Sequence, residues 1–343
     1  GTELKLQVVR IKSSNPTPSP DPVIYLEGGP GGSALVRVNR WVEAFAPILK
    51  NRDLLIMDQR GTGYSEPTIT CTFDWNRATQ DTEELEVMQE CYERISGSKF
   101  NLAAYNTVQN AADFADLRVA LAIPEWNLFG ISYGTRLALQ IMGAHPEGVR
   151  SVVLDSVFPS GVSYFNDRPA NATGSFQAVF AACAADPGCN ATNPDLENGL
   201  AAIVDELNKK PFRNNNPFEG DGAKYLQFNG VGFLSYIVQS LYDTEAIHYL
   251  PSIITFARKD PRQVVEVLMT DPTHPLFIGD LANPLQRGLN RASLSDGFFF
   301  TVMCAEEAPK ADPAVMDANV PPVHPVLKAA LIESVMDDLE VCK

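Results

Sequence analysis

The sequence predicts an α/β fold: a mostly parallel β-sheet with helices on both faces, interrupted by a helical insertion. Three observations predict it. Through residues 1–157, strand-like and helix-like segments alternate, the order that yields parallel strands joined by crossover helices. At Ser132 a buried-strand run turns sharply into an amphipathic helix. After Phe158 the buried-strand runs stop, and helical segments follow one another to about Thr270.

Leu4 to Ile11 alternates as an edge strand does, and Asn15 to Pro22 is a Pro/Ser turn. Val23-Ile-Tyr-Leu26 is a buried strand ending at Gly28-Gly-Pro-Gly-Gly32. Trp41 to Leu49 has helical spacing, and Asp53 to Met57 is again a buried strand, closed by Asp58-Gln-Arg-Gly61. Thr107 to Leu121 sets Ala111, Phe114, Ala115, Arg118 and Leu121 at near-helical intervals. Trp126 to Phe129 leads into the turn at Ser132, a helix runs on through Met142, and Val152-Val-Leu154 is the next strand. The insertion contains helical stretches at 176–185, 196–209, 231–242, 246–259 and 261–270, with a loop at Asn214-Asn-Asn-Pro217. The expected division is therefore 1–157 for the sheet domain and 158–303 for a helical lid, with 304–343 starting an incomplete return to the sheet.

With 343 residues, 45% of them hydrophobic, the chain can bury a large core, as two units or as one domain with an insertion. A formal charge of -15 argues against a nucleic-acid partner, which needs a basic face. No apolar run of about 18 residues occurs, so no membrane span is predicted; the longest apolar region, Trp126 to Ala144, is broken by Ser132, Thr135 and Arg136. Gly1-Thr-Glu3 reads as the start of a mature or trimmed protein.

Six cysteines without a C-x-x-C pair, beside four histidines, give no metal site and suit disulfides in an oxidising compartment, secreted or periplasmic. Chain order favours Cys71–Cys91, Cys183–Cys189 and Cys304–Cys342, the second closing an Asp-Pro-Gly turn; other pairings and free core thiols stay open. Asn171-Ala-Thr and Asn190-Ala-Thr match the glycosylation pattern.

Gly130-Ile-Ser-Tyr-Gly134 has the G-x-S-x-G pattern of a nucleophile elbow, with Ser132 as the nucleophile. Glycines flank the serine because side chains there would collide with the neighbouring strand and helix. Glu27-Gly-Gly-Pro-Gly-Gly32 follows an earlier strand, where such a fold places two backbone N–H donors against a developing oxyanion. Those donors are expected from Gly29 and from Tyr133, the residue after the nucleophile. A phosphate loop is the competing reading, but neither G-x-G-x-x-G nor a following Gly-Lys-Ser/Thr is present. This acyl-transfer chemistry calls for no cofactor.

Gly28-Gly-Pro-Gly-Gly32, Asp58-Gln-Arg-Gly-Thr-Gly-Tyr-Ser65 and Gly130-Ile-Ser-Tyr-Gly-Thr135, in this order and spacing, resemble the prolyl iminopeptidase and tripeptidyl aminopeptidase branch of the α/β-hydrolases. Relatives usually carry His where this chain has Glu27, a departure that resembles the secreted tripeptidyl-type members. Cys304-Ala-Glu306-Glu307 is similar to the Cys-Ala-Glu-Asp segment after the lid of that branch. The resemblance implies a serine exopeptidase acting on peptides with a free N-terminus, with Glu306 and Glu307 as candidates to hold the substrate ammonium; a solvated acidic pair is the bland alternative. Asp58 and Arg60 are expected to brace loops.

A triad in this fold runs Ser, Asp/Glu, His along the chain. Residues 305–343 contain no buried-strand run, and their one histidine, His324, lies in a Pro-rich stretch. His145 ends the elbow helix, while His248 and His274 belong to the lid. The acid and base are therefore expected C-terminal to Lys343, on a continuation or a cleaved companion chain. An esterase or lipase, or an inactive fragment serving as a binding subunit, are the alternatives.

Overall fold

The computed structural model describes residues 3–71, 83–97, 101–215, 225–270 and 294–343. It divides into two compact units. The first takes in described residues 3–71, 90–97, 101–162 and 294–309; the second takes in 83–89, 163–215, 225–270 and 310–343.

The first unit is built on five strands: β1 (Val8–Ile11), β2 (Val23–Leu26), β3 (Leu54–Met57), β4 (Trp126–Ile131) and β5 (Val149–Asp155). Their order is β1-β3-β2-β4-β5, with β1 antiparallel to β3 and every other pairing parallel. Alternation along β2 assigns its side chains to two layers. Ile24 and Leu26 pack with Phe114, Trp126, Leu137 and Ile141, beneath the helices Thr107–Ala120 and Tyr133–Ala144. Val23 and Tyr25 pack with Leu35, Trp41 and Phe45 on the opposite face. Because β2 and β3 are covered on both sides, their sequences read as unbroken apolar runs. β5 differs: it pairs with β4 along one edge, no described strand pairs with its other edge, and Val153 is 50% exposed.

The second unit is a helical cluster around Phe176, Leu200, Val204, Phe233, Leu250 and Ile254. Its helices span Tyr164–Ala185, Leu196–Lys209, Gly230–Ser240, Leu250–Ala257 and Pro261–Thr270, among shorter ones. The stretch expected as one helix over 246–259 is two, Thr244–Ile247 and Leu250–Ala257, with Pro251 at the second residue of the latter, where a missing N–H costs nothing. The insertion also holds a strand pair that its periodicity did not announce, β6 (Phe212–Asn215) antiparallel to β7 (Tyr225–Phe228), so Asn214 and Asn215 lie in a strand rather than a loop. Phe212-Arg-Asn-Asn215 carries one apolar residue ahead of an Asn pair, a composition that reads as a turn.

The expected boundaries shift at the end of the chain. Residues 294–309 go with the sheet, whereas 310–343 go with the helices. The reason is the Pro325–Glu340 helix, whose Leu327, Ala330 and Leu331 complete the helical core at i, i+3, i+4 spacing. No described helix is long and apolar enough to cross a membrane.

Cys71–Cys91 and Cys183–Cys189 are disulfides. Asp186 shapes the second loop by accepting a 2.7 Å bond from the Cys189 N–H at the start of the Pro187–Thr192 helix. Cys304 and Cys342 are disulfide-bonded as well, and no described cysteine is free.

Candidate active site

Ser132 stands between the last residue of β4 and the first of the Tyr133–Ala144 helix, at φ +54° and ψ −123°. A serine rarely adopts this conformation, which costs about 1–3 kcal/mol and persists only where neighbours impose it. Here the Ser132 N–H donates to the Asp155 carbonyl on β5 (2.9 Å), and the Ser132 carbonyl accepts from Thr135 N–H (2.9 Å) and Oγ1 (2.6 Å). Gly134 lies so close to the Leu26 carbonyl at the end of β2 that any Cβ would overlap it. The flanking glycine is thus a packing requirement of the turn. Ser132 is exposed, between the half-buried Ile131 and the buried Tyr133.

The 27–32 loop comes up beside this serine. A Cβ built on Gly28 would stand 3.1 Å from Ser132 Cβ and 3.5 Å from its Oγ. Gly29 has φ +116°, a region that L side chains avoid. Tyr133 opens its helix, so its N–H is one of the first-turn donors that have no intrahelical acceptor. The structure thus sets Gly28, which precedes Gly29, beside Ser132, and Tyr133 directly follows the serine. The start of the Asp296–Glu306 helix steadies the loop: Ser295 N–H donates to the Gly31 carbonyl at 2.8 Å, and Gly32 bridges to Leu294.

Glu306 and Glu307, at the other end of that helix, face different partners. The half-buried Glu306 accepts from Thr107 N–H and from Thr107 Oγ1, both at 2.7 Å, and Thr107 Oγ1 lies 2.8 Å from the Tyr133 hydroxyl. Burial pushes that phenol's pKa well up, so Tyr133 keeps its proton. Glu307 is fully buried and ion-paired with Arg136 of the elbow helix. Its carboxylate is turned inward to that cation rather than to solvent, since an unpaired charge at such a depth would be costly. Arg136 also lies over the Phe158 ring, 3.8 Å from its centroid, and donates to the Pro159 carbonyl at 3.2 Å. Thr107 and Arg136 were not singled out beforehand; the one available signal was a charged residue inside an otherwise apolar helix.

Asp58 and Arg60 take up loop-holding contacts. Asp58 is fully buried and accepts from Ser33 Oγ (3.0 Å), Leu35 N–H (3.0 Å) and Tyr64 N–H (2.9 Å), while burial raises its carboxyl pKa. Arg60 grips Asp113 with two nitrogens, at 2.7 and 2.6 Å.

No described histidine is hydrogen-bonded to Ser132. His145 lies at the far end of the elbow helix, 12 residues long, which puts it roughly 18 Å along the axis from the nucleophile. His248 is exposed, and His324 caps the Pro325–Glu340 helix by accepting from Val326 N–H at 3.3 Å. His274 lies outside the described residues. Among the described residues no cluster of His, Cys, Asp or Glu could hold a metal ion.

An exposed serine on a strained strand-to-helix turn, in a sheet of this order, defines a class, and the chain belongs to the alpha/beta hydrolase fold family, whose sequence profile matches residues 21–263. Within that family it is 31% identical over 177 residues to a tripeptidyl aminopeptidase of Streptomyces lividans, covering 46% of this chain and 32% of the relative. It is 30% identical over 141 residues to a proline iminopeptidase of Xylella fastidiosa, covering 41% and 34%. A carboxylesterase B of Mycobacterium tuberculosis matches at 31% identity over 241 residues, covering 63% and 45%. The chain thus matches between about a third and a half of the length of these relatives. Among solved structures, an alpha/beta hydrolase enzyme from a deep-sea metagenome library aligns with 94% of this chain and 84% of its own at 13% identity, with a TM-score of 0.33.

Proposed function

We propose that this chain carries the nucleophile of a secreted serine aminopeptidase, which removes residues or short peptides from a free N-terminus through an acyl-enzyme on Ser132. The observation that carries the reading is the approach of Gly28 to Ser132, which leaves the N–H groups of Gly29 and Tyr133 to receive the oxyanion. Ser132 Oγ would attack the scissile carbonyl as its proton passes to the general base, the two donors would stabilise the tetrahedral anion, the C–N bond would break as the amine takes that proton and leaves, and water would then hydrolyse the acyl-enzyme. The Streptomyces and Xylella relatives, named as aminopeptidase and iminopeptidase, support a peptide substrate. The disulfides support an oxidising, extracytoplasmic setting. Glu306, half-buried beside Tyr133's anchor, is the better placed of the two acidic residues to receive the substrate ammonium.

The general base and the acid that orients it belong, in this reading, to a segment C-terminal to Lys343, continuous or cleaved. The edge of β5 with which no described strand pairs and the greater length of the relatives support it. An esterase is the second reading, favoured by the long match to the carboxylesterase. Paired substrates with free and acetylated N-termini separate the two. An aminopeptidase hydrolyses only the free amine; equal rates on both would favour the esterase.

A further inference from the structure

Glu27 occupies the head of the oxyanion loop, and its side chain does not face solvent. Its Oε1 accepts from the N–H of the next residue, Gly28, at 3.0 Å, and from the Tyr25 hydroxyl at 3.1 Å. Its backbone carbonyl accepts from Gln59 Nε2 at 3.0 Å. The loop then folds back over the side chain: a Cβ on Gly32 would come within 2.7 Å of Glu27 Cγ. Glu27 is therefore held at its carbonyl, while its carboxyl holds the first peptide of the loop.

We propose that Glu27 is the positioning residue of the oxyanion hole: by engaging Gly28 N–H it sets the Gly28–Gly29 segment so that the Gly29 donor points at the acyl oxygen, a role that rests on the serine-hydrolase reading above. The side chain does this as the neutral acid. Glu27 Oε2 is buried with no hydrogen-bond partner among the described residues, and so is Gln59 Oε1. Each is a buried acceptor without a donor, and an ionised Glu27 carboxylate would leave its charge at Oε2 without compensation. Burial raises the carboxyl's pKa above the ordinary glutamate range, outweighing the hydrogen bonds from Gly28 and Tyr25 and the Arg37 charge, which lower it, while Asp58 adds a smaller push upward. Tyr25, itself held protonated by burial, is the remaining titratable neighbour. As pH rises and Glu27 ionises, a negative charge appears on the carboxyl that holds Gly28 N–H, beside the Gly29 peptide. It repels the anion that the oxyanion donors must receive.

The test compares wild type, Glu27→Gln, Glu27→Ala and Ser132→Ala in the full-length native protein, with a free-amine peptide substrate. Removing an oxyanion donor costs about 10²–10³ in kcat, and misaiming one in Glu27→Ala is expected to cost at least about tenfold in kcat with little change in KM. Glu27→Gln, which keeps the acceptor and cannot ionise, is expected to restore kcat and to lose the alkaline fall that wild type shows. Superimposable pH profiles for wild type and Glu27→Gln would overturn the proposal even if Glu27→Ala proves too unstable to assay. So would an unchanged kcat in a folded Glu27→Ala. Full activity of Ser132→Ala would instead remove the underlying serine-hydrolase reading, so the two failures are distinguishable.

Discussion

Thr107 presents both its N–H and its hydroxyl to Glu306, at 2.7 Å each, and the same hydroxyl lies 2.8 Å from the buried phenol of Tyr133. Tyr133, the proposed oxyanion donor, is thereby tied, through one threonine, to a carboxylate 199 positions further along the chain from that threonine. A hydrogen bond to a charged group contributes about 1.5–3 kcal/mol, so Glu306→Ala is expected to lower stability by about that much. It is also expected to lower kcat through Tyr133. Steady-state kinetics on a free-amine peptide separate anchoring from substrate binding: a large rise in KM at constant kcat assigns Glu306 to the ammonium, whereas a fall in kcat at constant KM assigns it to Tyr133.

Arg136 and Glu307 form the second link between the elbow helix and the same acidic segment. Truncating one partner of a buried pair strands the other charge and costs about 3–5 kcal/mol, whereas apolar replacement of both is often near neutral. Urea denaturation should therefore find Glu307→Gln strongly destabilised, and the Arg136→Met, Glu307→Leu double variant less so. A double variant as unstable as the sum of its singles would show that the residues act independently.

Acid sensitivity is expected from the foot of the sheet. Burial alone would raise the pKa of Asp21, but hydrogen bonds from Asn127 and Arg52, with the Arg52 charge, outweigh it and hold the group at about 2. A depressed folded-state value means that the contribution is present above the ordinary aspartate range and lost as pH falls toward 2. Asp21→Asn should flatten the decline in thermal midpoint between about pH 4 and pH 2. An unchanged slope would mean that other carboxylates govern it.

A serine hydroxyl without a base stays protonated near neutrality and attacks weakly. A fluorophosphonate probe is therefore expected to label Ser132 in the complete native protein and to react poorly with residues 1–343 alone. Full labelling of the 343-residue chain would place the base among its own four histidines.

Short-range features were readable before any coordinates. The turn at Ser132, the runs at Val23–Leu26 and Leu54–Met57, and the Cys183–Cys189 loop each depend on residues a few positions apart, where period and turn chemistry act directly. The β6–β7 pair escaped because Phe212-Arg-Asn-Asn215 has the polar, Asn-rich composition of a turn and becomes a strand by pairing with Tyr225–Phe228. Glu307 is a candidate for the substrate ammonium by sequence, with a solvated pair as the alternative, yet it is sealed against Arg136, 171 residues away along the chain. The unit that the Pro325–Glu340 helix joins did not follow from sequence, because an apolar stripe states that a face will be buried and leaves its partner open. Strand turns, helices and the nucleophile thus follow from local sequence. The partners of Glu306, Glu307 and the last helix are set by packing, which alone brings residues so distant along the chain within bonding reach.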